Sequence, residues 1–328
     1  MSTRQKFFIS LFLVPFLGGL LLGECEADPV VLKLVTAWQS NYFDSSNFLK
    51  TVDAINLAAE GNFVIKYLGG PEVIPVRQLG ESLRDGTVDM AFFAMAYTAG
   101  LEPAVQYGMI SPFSPWQERE NGTLDSWNKI YTKKLRAFCL GRFGWGKQFY
   151  FLFGKKKKVT KPDFTGLKIR SSPVLDPIIT KLGGARVGTS MGELYTAMDR
   201  GVIDGYGTPL LGIRDLGLQE VTKYVIDEPF WYTETRAMIN LSKWQSLSPD
   251  LQKLMVELFS KEEKPDAARV AEVVGKEKGE LNKAGLQFIK FTPADAKYFY
   301  NVVSDIGWES ATKRAPEYET EFKKLFNQ

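Results

Sequence analysis

The stretch VVLKLVTAW at residues 30–38 opens the pattern that decides the fold, because its β-branched and apolar residues predict a buried strand. The amphipathic stretch over 45–60 predicts a helix, and residues 63–68 predict a second strand. A helix over 76–84 and a strand over 88–93 complete a βαβαβ unit. Short strands that alternate with amphipathic helices are typical of an α/β fold with a mostly parallel sheet and helices on its faces.

A second series of the same kind begins near Ile169. It predicts a strand, a helix, a short strand, a helix and a strand, in that order, over residues 167–171, 173–182, 185–187, 191–199 and 202–206. The repetition indicates that the chain builds two α/β units rather than one extended sheet.

The two series also share letters at the point where a helix gives way to a strand. Residues 85–89 are Asp-Gly-Thr-Val-Asp, and residues 200–204 are Arg-Gly-Val-Ile-Asp. In each stretch the glycine can take the left-handed conformation that ends a helix, and an aspartate follows three residues later. Two ordinary helix ends are the alternative interpretation. The shared pattern favours two similar lobes that face each other across a cleft.

The chain has 328 residues, which is enough for two lobes that each bury a core. A strand-like aromatic stretch over 137–153 predicts the first crossing between the lobes, and residues 235–241 predict the return. The predicted lobes are residues 28–147 with about 236–275, and residues 148–235 with about 276–328.

The C-terminal third is predicted to be largely helical. Helices are expected to begin at Ser248 and Thr292, where a capping hydroxyl precedes a proline in the first turn. Pro265 lies inside the first of these stretches and predicts a break or a kink, because proline lacks the backbone N–H that a helix interior needs.

The first 27 residues predict a cleaved signal peptide. Arg4 and Lys6 precede an uncharged apolar run over 7–22, and small residues lead to a cleavage point after Ala27. The mature chain is therefore expected in the periplasm and not inserted in the membrane. It keeps one cysteine, Cys139, so it has no internal disulfide.

Composition excludes several classes of function. The chain contains no histidine, which removes the commonest general base, the usual partner of a nucleophilic Ser or Cys, and the commonest metal ligand. A net charge of +3 is too small to indicate a nucleic-acid partner. Residues 141–147 match a phosphate-binding loop up to its last letter, but Gln148 stands where that motif needs a hydroxyl. We therefore predict no enzyme activity and no cofactor.

The stretch DFTGLKIR at residues 163–170 resembles the segment that leads to the substrate-binding arginine in the solute receptors of TRAP (tripartite ATP-independent periplasmic) transporters, the DctP family. The resemblance extends over nearly the whole mature chain. GGPEVIP at 69–75, DMA at 89–91 and the stretch from 193 to 209 follow in the family's order and spacing. Together these motifs are specific.

The resemblance implies a two-lobed, periplasmic-binding-protein-like receptor that closes on a small organic acid and delivers it to a membrane permease. It also implies that Arg170 clamps a carboxylate, since a guanidinium matches a carboxylate in two parallel hydrogen bonds. Two positions depart from the family pattern: Tyr150 stands where many members have a second arginine, and Thr208 where many have asparagine. A single clamp predicts a monocarboxylate ligand. For a dicarboxylate, Lys147 or Arg142 would be the first candidates for a second cation.

The other candidate ligand-binding residues are mostly aromatic and suggest an apolar cavity with a few fixed polar groups. They are Trp38, Glu72, Tyr97, Phe149, Tyr150, Tyr206, Thr208, Phe230 and Trp231. A receptor of the ABC type or one linked to a sensor shares this architecture and is the main alternative, and an exported enzyme is a weaker one. We expect a monomer.

Overall fold

The structure is a computed structural model that describes residues 29–171, 174–189 and 192–327. The predicted signal peptide at residues 1–27 lies outside the described residues. No helix in those ranges combines the length and the apolar character needed to cross a bilayer.

The strands within these ranges are β1 (Val30–Thr36), β2 (Phe63–Gly69), β3 (Met90–Ala94), β4 (Ala137–Phe143), β5 (Gln148–Phe153), β6 (Lys168–Ser171), β7 (Ala185–Gly188), β8 (Gly205–Pro209), β9 (Tyr224–Ile226), β10 (Phe230–Tyr232), β11 (Thr235–Asn240) and β12 (Gln287–Ile289). The α-helices are α1 (Phe43–Ala58), α2 (Val76–Arg84), α3 (Gln106–Met109), α4 (Pro115–Glu120), α5 (Thr123–Lys134), α6 (Asp176–Lys181), α7 (Leu194–Asp199), α8 (Leu241–Ser246), α9 (Pro249–Lys283), α10 (Pro293–Arg314) and α11 (Glu319–Phe326). The predicted α/β fold and the order of the elements in both series are confirmed, but the strand predicted over 202–206 begins three residues later, at Gly205, and the predicted first residues of two helices, 173 and 191, lie outside the described residues.

The strands form two separate sheets. The first has the order β2-β1-β3-β11-β4, and the second has the order β12-β9-β5-β8-β6-β7 with β10 paired to β5. We call the first sheet with its helices the first lobe, and the second sheet with its helices the second lobe.

Each sheet is mixed rather than purely parallel, and the crossings between the lobes are the reason. β1 runs parallel to β2 and β3, whereas β11 runs antiparallel to β3 and β4. β11 re-enters the first lobe directly from the second, so its first residue, Thr235, lies opposite Ala94 at the carboxyl end of β3. β5 likewise enters the second lobe with Phe149 opposite Pro209, at the carboxyl end of β8. In both sheets, the carboxyl ends of the parallel strands thus face the crossings between the lobes.

The predicted echo between the two series has a structural counterpart. Asp89 accepts a hydrogen bond from the backbone N–H of Lys33 at 2.8 Å, and Asp204 accepts one from Lys168 at 2.8 Å. Each aspartate follows a glycine with positive φ, 78° at Gly86 and 67° at Gly201. In both lobes the carboxylate therefore ties the start of one parallel strand to its neighbour.

Two C-terminal helices join the lobes. Phe259 of α9 packs in a core of the first lobe, and Leu281 near its end packs in a core of the second. Phe299 of α10 belongs to a core of the second lobe, whereas Ala311 and, in α11, Phe322 belong to the first. The lobe boundaries remain a prediction, but the last helix packs against the first lobe.

Helix α9 runs through Pro265 without interruption, so the expected break does not occur. Buried carboxylates on either side of the proline attach this turn of α9 to residues of the first lobe. Glu263 pairs with Arg119 at 2.8 Å, and Asp266 accepts a hydrogen bond from Asn47 at 2.6 Å.

Candidate ligand-binding site

A cavity of about 580 Å³ lies where the equivalent edges of the two sheets face each other. Trp38 lines it just after β1, and Tyr97 lines it just after β3. Thr208 and Pro209 line it at the end of β8. Ligands of open α/β sheets bind beyond the carboxyl ends of the strands, and this volume suits a small molecule. The sheet topology alone therefore places a ligand site here.

Three aromatic side chains of the first lobe line one side of the cavity. The ring of Trp38 stacks on Tyr42 with centroids 6.3 Å apart, and it meets Tyr97 at 6.1 Å in a tilted arrangement. Partial burial raises the pKa of the Tyr97 hydroxyl, which therefore stays protonated at neutral pH. We call Trp38, Tyr42 and Tyr97 the aromatic wall.

Lys147 lies at the first crossing and lines the cavity next to Asp44, its ion-pair partner at the start of α1. Only 3% of the Lys147 side chain is exposed. Burial lowers the pKa of Lys147 to about 7, although the charge of Asp266 opposes this shift. Lys147 is thus paired with a carboxylate of the first lobe, Asp44.

Glu234 lines the cavity and also belongs to a buried ring of four charges. Its two carboxylate oxygens pair with Arg142 at 2.7 Å and Arg236 at 2.5 Å, and the same two arginines pair with Glu118 at 2.8 Å each. All four side chains are at most 2% exposed. We call these four residues the charge ring.

The charge ring is electrically balanced, with two carboxylates and two guanidinium groups. Arg142 and Arg236 face each other in the register of β4 and β11, and Glu234 comes from the second crossing. Burial alone would raise the pKa of Glu118, but the charges of Arg236 and Arg142 hold it below its usual value. A buried pair that loses one partner leaves an uncompensated charge, so this ring fixes the geometry of the crossings.

Arg170 is half-buried at the end of β6. Its Nε donates a hydrogen bond to the carbonyl of Thr189 at 3.2 Å, just beyond β7. Within the described part of the chain, no carboxylate lies within ion-pair distance of Arg170, and its burial lowers the pKa of the guanidinium. The cation is therefore partly desolvated without a counter-charge among those residues.

Arg170 and the cavity are connected through the register of the second sheet. Arg170 lies opposite Tyr206 on β8, and Thr208 lies two residues further along that strand. Side chains at paired positions, and at every second residue, project from the same face of a sheet. The Cα atoms of Arg170 and Thr208 are thus about 8 Å apart, from a strand spacing of about 4.8 Å and a rise of about 3.3 Å per residue. Arg170 is not itself among the residues that line the cavity.

The structure brings four of the sequence-predicted site residues together at the cavity: Trp38, Tyr97, Phe149 and Thr208. Tyr150 and Tyr206 belong instead to a core of the second lobe. Burial raises the pKa of Tyr150 to about 12, and the hydroxyl of Tyr206 forms a 2.7 Å hydrogen bond with Thr222.

Two further predicted residues, Phe230 and Trp231, pack in the other core of the second lobe. Phe230 is 2% exposed and stacks on Phe151 with centroids 5.0 Å apart. Trp231 has a positive φ of 37°, which is rare for a bulky residue. Both residues therefore lie in the core of the second lobe and are not among the described residues that line the cavity.

The motif around Glu72 supports the cavity indirectly. The Glu72 carboxylate accepts a 2.7 Å hydrogen bond from the backbone N–H of Gly70, which lowers the pKa of Glu72. A Cβ atom at Gly70 would lie 2.4 Å from the carbonyl oxygen of Trp38. This loop thus packs directly against the backbone that carries the aromatic wall.

We expect Gly70→Ala to destabilise the protein by about 1–3 kcal/mol, the usual effect of inserting a methyl group into a packed site. The backbone of Trp38 must move to make room, so its fluorescence should change as well. Chemical denaturation measures the first effect. Gly100→Ala is the matched control, because a Cβ atom there meets nothing within 4 Å. Equal stability of the two variants would contradict the prediction.

Sequence reasoning missed Tyr42, Asp44, Asp215 and Glu234, all of which line the cavity. Tyr42 and Asp44 lie on the loop and first turn after β1, so the carboxyl-end rule would have indicated them once the strand was assigned. Asp215 and Glu234 lie in irregular segments, where no periodic pattern gives a signal.

The family model described as "Bacterial extracellular solute-binding protein, family 7" (DctP) matches residues 35–313. The chain belongs to this family. The resemblance to TRAP solute receptors is thereby confirmed. Members of the family bind small solutes and work with the membrane permease subunits of TRAP transporters.

Curated relatives differ in the ligand that they are named for. A monocarboxylate 2-oxoacid-binding periplasmic protein of Nostoc sp. is 24% identical over 237 residues, 68% of this chain and 63% of the relative. The C4-dicarboxylate-binding periplasmic protein DctP of Rhodobacter capsulatus is 27% identical over 210 residues, 58% of this chain and 63% of the relative. The chain thus spans slightly less than two thirds of the length of these relatives.

Solved structures of TRAP periplasmic solute-binding proteins share the fold. The protein from Rhodobacter sphaeroides, in an open apo form, has a TM-score of 0.80 and 17% identity over 91% of this chain and 99% of its own. The protein from Desulfovibrio salexigens with bound orotic acid has a TM-score of 0.75 and 22% identity, over 90% and 97% of the two chains. The predicted two-lobed fold is therefore confirmed.

Proposed function

We propose that this protein is a periplasmic receptor that captures a small monocarboxylate between its lobes. The observation that carries the proposal is Arg170, a half-buried guanidinium that no described carboxylate neutralises, on the sheet face that leads to the cavity. Removing a cation from water is costly unless an anion compensates it. A ligand carboxylate supplies that compensation in a geometry that a guanidinium favours.

The state of the other cations supports one carboxylate rather than two. Lys147 is paired with Asp44, and Arg142 is held by Glu118 and Glu234. A second ligand carboxylate at the cavity would lose its hydration without gaining a free cation among the described lining residues. Burying an unpaired charge costs several kcal/mol even after the protein relaxes.

The family relationship supports delivery of the bound acid to a TRAP-type permease, which an ion gradient drives, rather than to an ATPase-linked transporter. It also supports a binding role without catalysis. The predicted signal peptide over residues 1–27 would direct the receptor to the periplasm.

A thermal-shift panel tests this function. We expect monocarboxylates with an apolar, keto- or hydroxy-substituted body to raise the melting temperature, and succinate and malate to leave it unchanged. A ligand at about 100 times its dissociation constant adds about 2.7 kcal/mol of stability, which corresponds to several degrees. Native mass spectrometry of the purified protein identifies any acid that remains bound.

The panel contradicts the monocarboxylate assignment if only dicarboxylates stabilise the protein. In that case Lys147 would have to leave Asp44 and supply the second cation. Sugars and other uncharged solutes serve as the negative control, since they offer Arg170 no carboxylate.

A further inference from the structure

Four charged side chains line the cavity within the described ranges, and three of them are neutralised by partners. Asp44 pairs with Lys147, and Glu234 pairs with the two arginines of the charge ring. Asp215, which is exposed at the cavity, makes no ion pair with any residue in those ranges. The charge that remains for a ligand at this end of the cavity is therefore negative.

The aromatic wall lies at the same end. Tyr42 and Tyr97 leave 41% and 45% of their surfaces exposed, although both line a cavity in a well-packed protein. Their π faces and that of Trp38 carry partial negative charge, so they attract cations that approach within about 6 Å. An aromatic group of this kind next to a carboxylate is a suitable environment for a substituted ammonium ion.

Asp215 and the aromatic wall belong to different lobes and meet across the cleft. A Cβ atom at Gly212, three residues before Asp215, would lie 3.6 Å from the hydroxyl of Tyr42. The pKa of that hydroxyl is raised, first by burial and then by the charges of Tyr97 and Asp215. The carboxylate of Asp215 is therefore close enough to interact electrostatically with the hydroxyl of Tyr42. The two also line the shallow depression that continues from the cavity beside Trp38.

We propose that the mouth of the cavity, formed by the aromatic wall and Asp215, holds a cationic nitrogen of the ligand. This proposal rests on the receptor function above and names the preferred members of its ligand class, monocarboxylates that carry an ammonium group. Arg170 takes the carboxylate, and the aromatic wall with Asp215 takes the opposite end. Such a ligand has no net charge, so each of its charges meets a complementary group of the receptor.

The arrangement also means that a bound ligand stabilises the closed state of the receptor. The nitrogen contacts the aromatic wall of the first lobe and Asp215 of the second at the same time. A ligand shifts an equilibrium toward the state in which it makes more contacts, which here is the closed one.

Matched pairs of isosteric acids test the proposal. The probes are trimethylammonio-acetate, -propanoate and -butanoate, each compared with its tert-butyl isostere, in which carbon replaces the charged nitrogen. The members of a pair have the same shape and the same carboxylate, so calorimetry of the pair isolates the effect of the cation. We expect at least one ammonium acid to bind about 3- to 30-fold more tightly than its isostere.

Asp215→Asn is the informative variant, because it removes the charge from an exposed loop and keeps the shape of the side chain. It should reduce the preference for the ammonium acid and leave the affinity for the tert-butyl acid unchanged. Asp199→Asn is the matched control, since it removes an exposed acid of the same lobe outside the cavity.

Three results would overturn the cationic subsite: equal or tighter binding of every tert-butyl isostere, an unchanged preference in Asp215→Asn, or no binding of any ammonium acid. The receptor function is judged separately by the thermal-shift panel and native mass spectrometry. A protein that responds to other monocarboxylates but to no ammonium acid keeps its proposed function and loses only this subsite.

Discussion

Replacing Arg170 with alanine should weaken binding of the cognate acid by about 30- to several-thousand-fold, and the protein should remain folded. Truncating one side of a buried charged pair costs about 2–5 kcal/mol, and each 1.4 kcal/mol is a factor of ten. Among the described residues, Arg170 makes one hydrogen bond, to the Thr189 carbonyl, so its loss removes little from the unliganded structure. Calorimetry with the acid identified by native mass spectrometry measures the effect.

Arg186→Ala is the matched control for this experiment. Arg186 lies on the neighbouring strand opposite Ile169, so it projects from the other face of the sheet, and it pairs with Asp176 at 3.3 Å. Its removal should leave affinity unchanged. Arg170→Lys keeps the charge and loses the planar fork, and we expect an intermediate affinity. Wild-type affinity in Arg170→Ala would exclude this residue as the carboxylate clamp.

Replacing Glu118 with glutamine should destabilise the protein by about 3–5 kcal/mol, because Arg142 and Arg236 would then share the single carboxylate of Glu234 in a buried site. Urea denaturation monitored by tryptophan fluorescence measures the loss. Glu257→Gln breaks an exposed pair with Lys261 on α9 and should have no measurable effect. A similar denaturation midpoint for both variants would contradict this role of the charge ring.

The same variant should change the pH dependence of stability. The folded pKa of Glu118 lies below its unfolded value, so its contribution is present at neutral pH and is lost as the pH falls through the folded pKa. The glutamine variant has no such group. It should therefore lose less of its remaining stability between neutral and acidic pH than the wild type does.

The sequence predicted the fold well because the signals for it are local. The alternation over residues 30–93 and the stretches ending in Asp89 and Asp204 each specify a helix end and a strand within a few residues. The charge ring had no such signal. Glu118 lies in α4 and Arg236 in β11, 118 positions apart along the chain, and only the tertiary fold brings them together.

The aromatic residues show a second limit. Tyr206 and Thr208 lie on the same face of β8, yet only Thr208 reaches the cavity, because it is nearer the carboxyl end of the strand. Phe149 likewise lines the cavity at the start of β5, whereas Tyr150 packs in a core. Composition identifies an aromatic residue, but its position along the strand decides whether it meets a ligand or the core.

Helix α9 acts as a strut between the lobes. Its 35 residues extend about 52 Å at 1.5 Å per residue, and it is fastened to the first lobe through Asp266 and to the second through Glu277, which pairs with Arg214 at 2.6 Å. A rod fixed at both ends must flex whenever the angle between its supports changes. Pro265, which lacks one rung of the helical ladder, lies just before the first fastening, so this weak point is held within the first lobe and the segment that must flex runs from Asp266 to Glu277. The elastic resistance of this helix thus sets a mechanical limit on how far the cleft can open.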